Sequence, residues 1–173
     1  MRKFVSCLFI ASVLAVAMVS CKTKAEYTPY ISLSAFLLNP EYKNDSIVGC
    51  EDTVMVAYDA SMGCYVLDTV SVSDTVVFVV GFGSRGNDLL SATITADTMA
   101  MAFRYKLNDD IHAALQPSSS EKDMKLYFNS GYNFVCFPMS YIPKKQGAHK
   151  VTFTVTSDSK FSPATVIVVQ NVR

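Results

Sequence analysis

An all-β fold, an antiparallel β-sandwich with one short helix near 108–116, is the class this sequence predicts. Three observations predict it. Apolar and polar residues alternate at period two in segment after segment, most cleanly in "KVTFTVT" (150–156), where Val151, Phe153 and Val155 interleave with threonines. Clusters of Gly, Asn, Asp, Ser and Pro separate these segments at short intervals. The 173 residues are 50% hydrophobic and 17% charged, apolar enough for the core of one domain and far from a disordered composition.

In chain order the first element is a targeting segment, residues 1–20. Arg2-Lys3 is a basic n-region, and the apolar run from Phe4 to Val19 is shorter than the roughly 20 residues a bilayer span needs. It ends at "MVSC" (Met18–Cys21), which resembles a bacterial lipobox, with Ser20 as the small residue before the cut. The resemblance implies a lipoprotein signal peptide and lipid attachment at Cys21, whose acyl chains anchor the mature chain durably in a membrane. The rival is ordinary cleavage after "AVA" (Ala15–Ala17), which leaves Cys21 a free thiol. Lys22-Thr23-Lys24 lacks the Asp of inner-membrane retention, so an outer-membrane lipoprotein is expected, on either the periplasmic or the cell-surface face.

Residues 21–29 read as a polar tether closed by Pro29, and 30–52 as an N-terminal strand with its connection. The strand is "YISLSAFLL" (30–38), which Asn39-Pro40 should close. The sandwich proper is expected over 53–173. "TVMVAY" (53–58) and "CYVLDTV" (64–70) flank a turn-forming Asp59–Gly63 and form a hairpin. "TVVFVVGF" (75–82) is apolar throughout, as in a central strand covered on both faces. "LLSATITA" (89–96) and "MAMAFRY" (99–105) alternate again. "NDDIHAALQP" (108–117) has Asn108 to cap, acids in its first turn and Pro117 beyond its end, the signature of a helix. "MKLYF" (124–128), "YNFVCF" (132–137), 150–156 and "TVIVVQNV" (165–172) complete the strands. A sandwich accommodates this series; an up-and-down barrel is the competing architecture.

"LDTVSVSDTVVF", "NDLLSATITADT" and "SYIPKKQGAHKVTFTVTSDSKFSPATVIVV" together resemble the small immunoglobulin-like lipoproteins of Bacteroides-type bacteria, over residues 64–173. The resemblance implies an Ig-like sandwich and says little about function, since such domains serve as adhesins, spacers and binding accessories alike. This chain departs from the antibody pattern: it has no Trp, and no Cys in the 75–82 strand. His149 stands where many sandwiches place a corner Tyr, and a backbone hydrogen bond there is its expected role.

Motifs for chemistry fail on context. "GFGSRG" (81–86) matches G-x-G-x-x-G, but a dinucleotide site needs a helix to start there, and a period-two segment follows. Its glycines are expected to serve a strand connection with positive φ. His112 and His149 lack metal-ligand spacing, and Cys136 sits in an aromatic strand as a buried, inert thiol. Of the exported cysteines Cys50, Cys64 and Cys136, no pairing can be assigned. Removing residues 1–20 leaves 13 basic against 15 acidic residues, which offers no electrostatic footprint for nucleic acid.

The function expected from these readings is a membrane-anchored, non-catalytic binding or adhesion module of the bacterial envelope. It is expected to use no cofactor and no metal, and its partners would be a membrane, through Cys21, and a glycan or envelope protein. Phe82, Tyr132, Tyr141 and Phe161, near expected loops, are the aromatics proposed to face a ligand. The alternative is a structural or assembly subunit of an envelope complex that pairs through an edge strand.

Overall fold

The computed structural model describes residues 26–43, 46–97, 100–105, 109–120 and 122–173. The targeting segment, Cys21 and the Asn108 cap lie outside them. The described strands are β1 (Tyr30–Leu33), β2 (Phe36–Lys43), β3 (Ser46–Val54), β4 (Val56–Asp59), β5 (Cys64–Val70) and β6 (Val76–Gly83). They continue with β7 (Leu89–Ala96), β8 (Met101–Tyr105), β9 (Lys125–Tyr127), β10 (Phe134–Pro143), β11 (Gly147–Ser157) and β12 (Ala164–Val172). The described helix is α1 (Asp109–Ala114).

Two sheets form, in the orders β3-β2-β6-β10-β8, with β1 also on β6, and β4-β5-β12-β11-β7-β9. If β1 with β2 is the first strand, then β6, β7, β8, β10, β11 and β12 follow as the second to seventh of an immunoglobulin-like sandwich. One sheet holds the first, second, fifth and fourth of these; the other holds the third, sixth and seventh. All pairings are antiparallel except β5 with β12, where Tyr65 aligns with Val168 and Val70 with Val172. The chain is an all-β, Ig-like sandwich.

Period-two patterning decides which side of each strand is buried. Along β11, Val151, Phe153 and Val155 are buried while the threonines between them are half-exposed. Along β10, Val135, Phe137, Met139 and Tyr141 face inward. Between the sheets Phe78 meets Phe36 at 4.7 Å, Tyr141 at 6.2 Å and Phe153 at 6.1 Å between ring centroids. One buried polar tie crosses this core: the Tyr141 hydroxyl donates to Gln170 Oε1, and Gln170 Nε2 donates to the carbonyls of Asp68 (2.6 Å) and Asn171 (2.9 Å). Burial pushes the Tyr141 hydroxyl pKa well above the ordinary tyrosine value, so it remains a donor. His149 bonds backbone at the start of β11, its Nε2 lying 2.8 Å from the Lys145 carbonyl oxygen.

The first strand differs from expectation. Asn39-Pro40 does not end it; β2 runs on to Lys43, and β3, unforeseen in a Gly- and acid-bearing stretch, returns antiparallel to it. Pro40 pairs with Cys50 in a part of β2 that has passed the end of β6, so its missing N–H removes no bond on that side. Nor does the sandwich begin at Thr53. β1 pairs Tyr30–Leu33 with Gly83–Val80, and β2 pairs Leu37 and Leu38 with Val77 and Val76, so both lie along one flank of β6. At the step between them, Ser34 serves Val79 twice. Its N–H donates to the Val79 carbonyl (2.9 Å), and its Oγ accepts the Val79 N–H (2.7 Å) in place of a backbone oxygen.

Candidate ligand-binding surface

The inward set of β6 is Val76, Phe78, Val80 and Phe82; its other face presents Gly81 and Gly83 at one end. In register, Tyr30 of β1 and Phe134 of β10 both sit opposite Gly83, one on each flank. All three share the outer face. A methyl at Gly83 would collide with the Tyr30 ring, and one at Gly81 would collide with Ser32 Oγ and press on Phe134 at 3.2 Å. The glycines therefore form a floor on which two rings lie. Tyr30 and Phe134 stack at 6.5 Å between centroids with 24° between their planes, and both stay exposed. Neither Gly81 nor Gly83 has positive φ; of the three glycines of "GFGSRG", only Gly86 does, at 92°. The expectation of a turn is thus corrected to one of close approach, and the segment that follows is strand β7.

Beside this platform the chain's approach to β1 is fastened down. Glu26 Oε2 accepts the Lys160 N–H (2.9 Å), Tyr27 N–H donates to Asn87 Oδ1 (3.2 Å), and Pro29 is buried. The β6–β7 loop is held as well. Ser84 N–H donates to the Asn133 carbonyl (2.8 Å), and Asp88 Oδ2 accepts Ser130 Oγ and Gly131 N–H, each at 3.0 Å. Between approach and loop lies an open cleft of about 360 Å³ lined by Tyr27, Thr28, Pro29, Tyr30 and Arg85. Two polar atoms of the loop, Ser84 Oγ and Asn87 Nδ2, are buried without a hydrogen-bond partner among the described residues. A second cleft, about 220 Å³ and apolar, lies between β1 and β5 and is lined by residues including Leu33, Phe36, Val56, Tyr65 and Val166.

The aromatics chosen from sequence fare unevenly. Phe82 (0% exposed) and Tyr141 (2%) are core residues, so neither can face a ligand: strand parity turns both inward. Tyr132 is half-buried and packs on the core. Phe161 is exposed, with Lys160 Nζ 5.1 Å from its ring centroid. Tyr30 and Phe134 were missed. Their signal was the alternating Gly81 and Gly83, which leave one end of one face of an otherwise bulky strand without side chains. Cys136 also departs from expectation, being exposed beside Phe134 on that face, opposite Gly81. It shares no sheet with His149, which lies on β11. Cys50, Cys64 and Cys136 are all free thiols, and the described residues hold no cluster of three or more His, Cys, Asp or Glu placed for a metal. No described helix is long and apolar enough to cross a membrane.

No protein-family model and no curated protein matches the chain. Among solved structures it is similar to the secreted serine protease VesC from Vibrio cholerae, with 10% identity and a TM-score of 0.39, covering 69% of this chain and 23% of that one. It is also similar to a family 123 glycoside hydrolase from Clostridium perfringens, with 10% identity, a TM-score of 0.36, and 61% and 22% of the two chains covered. A third is the PapD-like domain 7 of human CEP192, with 9% identity, a TM-score of 0.36, and 78% and 98% covered. The chain spans less than a quarter of the protease and of the hydrolase. At this level of similarity none of the three bears on what it does.

Proposed function

We propose that the chain is a membrane-anchored, non-catalytic binding module of the bacterial envelope that takes a glycan on the Tyr30–Phe134 platform. One observation carries this: two exposed rings within 24° of parallel, laid side by side over glycines on a rigid sheet. Such a surface offers a flat apolar face to the C–H side of a sugar ring, and a fixed platform loses little entropy on binding. The anchor in this reading is the lipid on Cys21, supported by the apolar run that ends at "VSC". The reading is tested by affinity electrophoresis of the lipidated chain in detergent against immobilised glycans. Tyr30→Ala with Phe134→Ala should abolish retention and leave the melting temperature within a few degrees. Retention that survives both changes refutes the platform. For the anchor, Cys21→Ala should move the protein from membrane to soluble fraction; an intact mass starting at Met18 with an unmodified thiol refutes it.

A second reading, assembly through an edge strand, is favoured by β3. Among the described strands it pairs only with β2, and it contains neither Lys nor Pro and exposes Ile47 and Val48. Val48→Lys should then dissociate a complex recovered from intact envelopes; an unchanged complex removes this reading.

A further inference from the structure

The cleft beside the platform adds charge to the apolar face, and we infer that the ligand is an acidic glycan, a sugar whose carboxylate is held by Arg85 while its ring stacks on Tyr30 and Phe134. This rests on the platform reading above. The cleft's volume, about 360 Å³, falls at the small end of ligand sites, which run from about 300 to 1,000 Å³. Its walls are fixed independently of any ligand, the approach by Glu26 and Tyr27 and the loop by Ser84 and Asp88.

Arg85 is the cation among the residues lining the cleft. It is exposed and makes no hydrogen bond or ion pair among the described residues. The acids of the approach and of the neighbouring loops accept hydrogen bonds from other groups. Glu26 accepts from the Lys160 backbone, Asp88 from Ser130 and Gly131, and Asp158 Oδ1 from the Asp88 N–H at 2.9 Å. A guanidinium left open at the rim of an aromatic platform presents its planar fork to a carboxylate, a match lysine cannot reproduce.

The test presents the lipidated chain in detergent with a panel of uronate-bearing oligosaccharides, each also as its uncharged methyl ester, together with neutral oligosaccharides. At least one uronate should bind about tenfold or more tightly than its ester, the size expected of a charge-assisted bond. Arg85→Gln should erase that preference, Arg85→Lys should keep part of it, and Tyr30→Ala with Phe134→Ala should abolish binding of acid and ester alike. Equal binding of acids, esters and neutral sugars refutes the charge inference and leaves the platform standing. Binding of acids that ignores Tyr30 and Phe134 refutes the shared site. No binding to any member of the panel refutes both.

Discussion

One sheet carries aromatic rings on both of its sides, and the two sets have opposite consequences. On the inner side Phe36 and Tyr141 each meet Phe78, which also meets Phe153 of the facing sheet, and all four are almost wholly buried. On the outer side Tyr30 and Phe134 keep 41% and 46% of their surface exposed over a glycine floor. β10 supplies a member of each set, Tyr141 inward and Phe134 outward, seven positions apart and so of opposite parity. Residue type does not separate core from platform. Parity relative to the opposing sheet does.

The largest effect expected from this contrast is on stability. Phe153 is 1% exposed and meets Phe78 edge-on at 6.1 Å. Phe153→Ala should cost about 3–5 kcal/mol, a large part of the roughly 5–15 kcal/mol that holds a domain together. Phe134→Ala should cost about 1 kcal/mol or less, since its exposed ring contributes little burial. Urea unfolding of both variants measures the gap; equal midpoints would erase the distinction between the two sets.

A smaller effect tests the polar member of the inner set. Gln170→Leu removes the acceptor of the Tyr141 hydroxyl and the donor to the Asp68 and Asn171 carbonyls, which tie β12 to β10 and β5. The expected loss is about 1–3 kcal/mol, from polar groups left in the core without these bonds. Tyr141→Phe should cost less, because it removes the buried hydroxyl along with its need for a partner. If Tyr141→Phe is the worse of the two, the tie is not what Gln170 is for.

Much of this fold was legible in sequence, because period two marks half-buried strands and β11 shows it without a break from Lys150 to Thr156. What escaped was the β2–β3 ribbon, where Pro40, Gly49 and three acids (Glu41, Glu51 and Asp52) are tolerated because the ribbon runs past the end of β6. That tolerance depends on tertiary position, which local composition does not carry. The site was read less well for a related reason. Phe82 and Tyr141 border loops in sequence but point inward, whereas the platform exists only once β1, β6 and β10 align Tyr30, Gly83 and Phe134 in one row. Three distant segments and their register had to be known together.

The smallest expected change in stability belongs to Gly83→Ala, and it sharpens the comparison most. A methyl there meets the far end of the Tyr30 side chain, which can swing away, rather than backbone. Alanine in a strand also gains about 0.5–1 kcal/mol over glycine by restricting the unfolded chain. The two effects oppose each other, so the unfolding free energy should move by about 1 kcal/mol or less. Glycan retention should nonetheless fall to the level of Tyr30→Ala, because the displaced ring no longer lies alongside Phe134. Proton chemical shifts of the two rings would report that separation directly, through the loss of their mutual ring-current effect. Should Gly83→Ala unfold the protein, the floor belongs to the fold rather than to the platform. Should it leave both retention and ring shifts unchanged, Tyr30 does not lie where a flat site requires it.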